Sequence, residues 1–211
     1  MPTDSFWLDR WEEGRTHFHR DAVDPGLIQH ADWLLGPHTP VLVPLCGKTL
    51  DLRWLQQSGH ATVGIELSER AIHEVIAAPT IRECATHRAF VDDDLELWQG
   101  DFFAIRTDRR FGAVWDRAAL VAVDPDQRPA YARQLRALAP GGRLLLSTIS
   151  YDPAVMSGPP FSVTAEALND LFGAGNVTQV EQTDRIDVEP RWRERGHSWF
   201  RVGLYRILLG E

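Results

Sequence analysis

A chain of 211 residues, 44% of them hydrophobic, is long enough to bury one sizeable core and short for two, so a single domain over 1–211 is expected. A net charge of −8 and a pI near 5.5 offer no attraction to phosphate backbones or anionic membranes, which argues against nucleic acid and lipid surfaces as partners. Two cysteines are too few for a disulfide framework, nothing before Trp7 reads as a basic-then-apolar leader, and no apolar run reaches the roughly 18 residues of a membrane span; a cytoplasmic protein is expected.

In chain order, Ser5–Gly14 sets Phe6, Trp7, Leu8 and Trp11 among charges at spacings compatible with an amphipathic helix, which Gly14 ends. Arg15–Arg20 then reads as an irregular stretch rich in ligand-binding side chains. A helix from about Pro25 to Leu35 stops at Gly36-Pro37. From Val41 strand and helix alternate: a strand at 41–44, a helix at about 48–58, a strand at 61–66, and a helix at about 68–77 with Ser68 as N-cap. Asp92-Asp93-Asp94 reads as a solvated loop. Strands follow at Leu95–Gln99 and Ala113–Trp115, a helix around Pro125–Leu138, and a strand at Arg143–Ile149. Thr164 caps a helix at about 165–172, and Val177–Thr183 and Trp199–Leu209 form two last strands. The pattern predicts an α/β fold: a Rossmann-like, seven-stranded, mostly parallel sheet with helices on both faces, closed by a terminal pair of which one strand is antiparallel.

In such a sheet ligands bind outside the carboxyl ends of the strands, where strand order reverses. The stretch VLVPLCGKTLDL turns at Leu45-Cys46-Gly47, and Glu66 closes the next strand nineteen residues after Gly47. A strand, a glycine turn, a helix and an acid at about 20 residues is the recipe for gripping a nucleoside, the carboxylate accepting from the ribose hydroxyls. The bland alternative for Glu66 is a charge favouring the dipole of the Ser68 helix. Asp101 and Phe102 offer an acceptor and an apolar face for adenine, or simply a capped turn. Asp116-Arg117 either pair with each other or send Arg117 into the cleft. Cys46 reads as a small packed residue rather than a nucleophile, since no base or orienting partner is guaranteed. His17 with His19, and Cys84 with His87, complete no four-ligand zinc set, so no metal is expected. Arg191–Phe200 reads as a solvated loop or as the far wall of a substrate pocket, where arginine pairs with a planar anion.

These residues carry a family resemblance over essentially the full length. The chain resembles the bacterial thiopurine S-methyltransferases, within the class I S-adenosylmethionine-dependent methyltransferases. The likeness rests on Trp7, Arg10-Trp11, Gly14 and Phe18-His19, on Pro44-Leu45-Cys46-Gly47-Lys48, on Val63–Ser68, on Gly100–Phe103 and on Trp115–Ala122. It implies S-adenosyl-L-methionine as cofactor, S-adenosyl-L-homocysteine as product, and cofactor contacts from Trp11, Leu45, Glu66 and Arg117, to which the strand-end reading adds Gly47, Asp101 and Phe102. It implies an acceptor pocket at Phe18, His19, Arg117 and Arg195. Residues 1–36 would be a lid and helix on a core of 37–211. His17 departs from the family, which has a small residue there, and bears on acceptor range.

Methyl transfer from a sulfonium to a thiol or selenol needs alignment more than base help, so no dedicated triad is expected. His19, Asp116 and Arg117 are the candidates for relaying a proton or stabilising a thiolate. The expected partners are a small thiol or selenol substrate, without nucleic acid or membrane, and a monomeric chain. The alternatives are a halide or thiol methyltransferase and a non-catalytic S-adenosylmethionine sensor.

Overall fold

The computed structural model describes residues 4–16 and 19–210. Eight α-helices are formed among them: α1 (Asp4–Glu12), α2 (Pro25–Gln29), α3 (Ala31–Leu34), α4 (Asp51–Gln57), α5 (Glu69–Val75), α6 (Arg128–Leu138), α7 (Ala165–Phe172) and α8 (Pro190–Glu194). The strands are β1 (Val41–Val43), β2 (Thr62–Glu66), β3 (Thr80–Glu83), β4 (Arg88–Asp92), β5 (Leu95–Gln99), β6 (Ala113–Arg117), β7 (Arg143–Ser150), β8 (Val177–Asp184) and β9 (Arg201–Leu208). They make one nine-stranded sheet in the order β3-β4-β5-β2-β1-β6-β7-β9-β8.

The centre of the sheet, from β5 to β7, is parallel, and every residue of β1 and β2 is buried, which is why these strands read as continuous apolar runs. Leu27, Leu34, Leu52, Leu55 and Ile72 bring α2 to α5 onto one face, against Val41, Val43, Leu95 and Leu97. Tyr131, Leu135, Leu168 and Phe172 bring α6 and α7 onto the other, against Leu42, Val63, Ile65 and Val114. Helices therefore cover both faces. β9 is the antiparallel member of the terminal pair, bonded to β7 and β8.

The seven anticipated strands are present, and the sheet has nine, its parallel centre joined by antiparallel pairings at both edges. The addition is an antiparallel hairpin, β3 and β4, on the β5 edge. Every residue of β3 is exposed, so it carries no apolar alternation that would announce it. The Asp92–Asp94 run is the tight turn from β4 to β5, with Asp93 at φ 54° and Asp92 paired to Arg53 at 2.6 Å. The helix expected from about 48 begins at Asp51, because residues 44–50 turn rather than coil. The helix expected at 25–35 breaks at His30 into α2 and α3.

From β1 the chain moves outward through β2, then crosses back to place β6 on the other flank of β1. The loops leaving β1 and β6 diverge there, and the crevice between them holds the site.

Candidate active site

β1 ends at Val43 and the chain reverses through Pro44–Gly47, with Leu45 at φ 45° and Gly47 at φ 54°. Glycine is required at 47 for space as well as for conformation, since a Cβ there would run into the His19 ring. The Gly47 N–H donates to Glu66 Oε2 at 2.8 Å, and the N–H groups of Leu67 and Ser68 donate to Oε1, each at 2.8 Å. Glu66 thus clasps the β1 turn to the end of β2. Burial pushes its carboxyl upward against the pull of these three donors. A carboxylate has about four acceptor positions, so room remains for one more hydrogen bond.

Beyond β5, Asp101 Oδ1 accepts from the Phe103 N–H at 2.9 Å, and the buried Phe102 ring lies 4.9 Å from that of Tyr131. Beyond β6, alternation along the strand separates neighbours. Asp116 is fully buried: Oδ2 accepts from the Tyr131 hydroxyl at 2.8 Å, and Oδ1 from the N–H groups of Ala119 (3.0 Å) and Leu120 (3.2 Å). Burial raises its pKa to about 6. Arg117 turns to the crevice, its Nε 3.8 Å from Asp24 Oδ2. Burial and Arg20 lower its pKa, opposed by Asp24 and Asp51.

The remaining wall is α1. Asp4, Trp7 and Trp11, spaced three and four residues apart, share a face with Arg10 and line the crevice, and Trp11 is the residue of α1 that is buried. Arg70 of α5 docks the helix by donating to the Glu12 carbonyl at 3.0 Å. The rings of Trp11 and His19 lie 5.2 Å apart. Burial, reinforced by Arg117 and Lys48, pulls the His19 pKa down to about 4, so its imidazole is neutral at pH 7.

The crevice measures about 490 Å³. It gathers Trp11, Leu45, Gly47, Glu66, Asp101, Phe102, His19 and Arg117, the anticipated residues of four strand ends, of α1 and of the stretch that follows it. Two anticipated residues do not reach it. Asp116, expected among the catalytic groups, lies beneath it, spending both oxygens on Tyr131 and the 119–120 turn. Arg195, expected in the acceptor pocket, is exposed, near Met156 Sδ (3.8 Å) and over the Trp192 ring; α8 buries Trp192 and leaves Arg195 outside. Phe18 lies outside the described residues, as does His17. Cys46 is buried, and burial raises its thiol pKa well above the usual value, so it packs rather than attacks.

The cavity also takes residues not anticipated: Asp4, Arg10, Val121–Asp124, Gln127 and the Pro159-Pro160 rim. The helical spacing of Asp4, Trp7, Arg10 and Trp11 was a usable signal for Asp4 and Arg10; the others lie between regular elements or in short 3-10 turns, without periodicity. No cluster of three or more His, Cys, Asp or Glu suited to a metal exists among the described residues, and no helix there is long and apolar enough to cross a membrane.

Carboxylates at the ends of β2 and β5, a cation at the end of β6, flat faces from Trp11 and Phe102, and the Leu45–Gly47 turn after β1 suit an adenosine carrying an amino-acid tail. Known proteins agree. The family model for thiopurine S-methyltransferase matches residues 2–208. Thiopurine S-methyltransferases of Bordetella petrii and Pseudomonas paraeruginosa are 39% and 40% identical, covering 96% and 97% of this chain and 96% and 98% of theirs. The fold is shared with a Burkholderia thailandensis 1,6-didemethyltoxoflavin-N1-methyltransferase solved with S-adenosylhomocysteine, at TM-score 0.62, 19% identity and coverage of 97% of this chain and 87% of that one. It is also shared with an arsenic(III) S-adenosylmethionine methyltransferase of Chlamydomonas reinhardtii, at TM-score 0.61, 17% identity and coverage of 90% and 75%. A class I sheet, a nucleoside-shaped crevice at its switch point and near-full-length relatives lead to one conclusion: the chain belongs to the thiopurine S-methyltransferase family and is an S-adenosylmethionine-dependent methyltransferase.

Proposed function

We propose that the chain methylates sulfur in small aromatic or heterocyclic thiols, thiopurines among them, and selenium or tellurium species, as a cytoplasmic, monomeric detoxifying enzyme. The observation that carries this reading is that His19 and Arg117 line one crevice together with Trp7 and Trp11. When bound, the cofactor supplies an electrophilic methyl on an excellent leaving group. Glu66 accepts from the ribose, Asp101 and Phe102 hold the adenine, the Leu45–Gly47 backbone and Trp11 frame the methionine end, and Arg117 meets the amino-acid carboxylate or the acceptor. Phe18 and His19 belong to the acceptor side, and residues 1–36 act as the lid on a core of 37–211.

The protein's task is alignment, which supplies roughly 7–11 kcal/mol of such a barrier. α1 excludes water while Arg117 steadies negative charge on the attacking atom. An imidazole with a pKa near 4 is too weak a base for an ordinary thiol, so the acceptor enters as its own thiolate. Rate should therefore follow the acceptor's ionisation.

The test is transfer from S-adenosylmethionine to 6-mercaptopurine, thiophenol, selenide, iodide and a catechol across pH 5.5–8.5. Turnover on the aromatic thiols, with kcat/KM rising through each thiol's own pKa, is the expected result. Activity on iodide alone would make this a halide methyltransferase, and cofactor binding without turnover would make it a sensor.

A further inference from the structure

A second concavity, of about 510 Å³, lies between α6 and the loop that follows β5, and Phe103 lines both it and the cofactor crevice. Its floor is apolar, with Ile105 and Leu138 buried. Its rim carries three exposed arginines, Arg106, Arg110 and Arg133. Arg106 Nη1 donates to the carbonyls of Phe103 (2.9 Å) and Ile105 (2.7 Å), and Arg110 Nη1 to those of Thr107 (2.9 Å) and Arg109 (3.2 Å). Carbonyls fix a guanidinium without neutralising it. Among the described residues none of the three is ion-paired, even to Asp108 between them in the chain, whereas neighbouring Arg109 pairs with Glu96 at 2.8 Å. Three uncompensated cations thus share one concavity of a chain whose net charge is −8.

We propose that this concavity binds a small amphipathic anion, a phosphate monoester on an apolar or aromatic body, and that its occupancy strengthens cofactor binding. A phosphate dianion offers three acceptor oxygens to three guanidinium forks, and the Ile105–Leu138 floor receives the apolar body. The route to the cofactor is the loop itself. Gln134 Nε2 donates to the carbonyls of Phe102 (3.0 Å) and Ile105 (2.9 Å), and Arg106 holds those of Phe103 and Ile105, while Phe102 and Phe103 line the crevice. An anion that engages Arg106 immobilises a wall of the cofactor site. The coupling rests on assigning that crevice to the cofactor; the anion site does not.

Calorimetry of the full chain with phenyl phosphate tests it. Saturable binding with a Kd of about 1 mM or tighter is expected. Inorganic phosphate and benzyl alcohol, each offering one half of the recognition, should bind at least about tenfold more weakly, and Arg133→Glu, on an exposed helix face, should weaken phenyl phosphate at least about tenfold without lowering Tm. Saturating phenyl phosphate should raise S-adenosylhomocysteine affinity about fivefold, and the reverse titration should return the same factor. Absence of saturable binding, indifference to both Arg133→Glu and Arg110→Glu, or competition with S-adenosylhomocysteine would overturn the proposal. No methyl acceptor is present, so failure of thiol methylation would leave the result standing.

Discussion

Glu66 has two duties in one carboxylate. It accepts three backbone N–H groups that fix the turn after β1, and the reading above also gives it the ribose. Glutamine is not a conservative replacement, because its single acceptor oxygen can face the Gly47 N–H or the Leu67 and Ser68 pair but not both. Glu66→Gln should therefore cost about 1–3 kcal/mol of stability for the stranded donors. Glu66→Ala should weaken S-adenosylhomocysteine by about 2–3 kcal/mol, the scale of removing a partner from buried polar groups. Thermal unfolding and calorimetry separate the duties: a lower Tm with unchanged cofactor affinity would leave Glu66 as a clasp and sink the ribose assignment.

Among the elements, α1 walls the crevice, and the reading proposed above makes it the lid. Trp11 is its buried residue, and the exposed Arg70–Glu12 pair that docks its end is worth at most about 1 kcal/mol. Gly14 follows at φ 67° with open space around it, a joint rather than a packed bend. Trp11→Ala should thus leave the sheet folded, with a small change in Tm, while weakening cofactor binding by about tenfold or more and accelerating its release. An unchanged dissociation rate in stopped-flow measurements would remove α1 as the lid. The sequence announced this helix and the seven principal strands because apolar periodicity and turn residues coincide in each. It did not announce the β3–β4 hairpin, whose outer strand is wholly exposed, nor the Val121–Asp124 and Pro159–Pro160 segments of the crevice, which have no period to read. Asp116 and Arg117 show the limit at finer scale. Both end the same strand, and only tertiary packing of Tyr131 decides which is consumed by the core. Arg195 shows the same limit, since burial of Trp192 within α8 leaves it exposed outside the crevice.

Over the whole molecule, two buried groups give folding stability opposite dependences on acid. His19 falls from 6.5 to about 4 on folding, so protons favour the unfolded chain and stability is lost as pH drops from 6.5 toward 4. Asp116 rises from 3.8 to about 6, so the folded chain keeps a proton that the unfolded chain has released; its contribution is greatest below 3.8 and is lost as pH climbs to 6. Glu66 shifts in the same sense as Asp116. In the window from 4 to 6 the two trends oppose each other, and replacing Asp116 exposes one of them. Asparagine can keep the arrangement, its oxygen accepting from Ala119 and Leu120 and its amide donating to the Tyr131 oxygen. Asp116→Asn should therefore match or exceed the parent in Tm at pH 7, with an advantage that shrinks by about 3 kcal/mol on going to pH 4. Because Asp116 does not line the crevice, kcat should stay within a few-fold of the parent. A stability difference that does not change with pH would mean that Asp116 is ionised in both states, and a collapse of kcat at unchanged stability would return it to the catalytic groups.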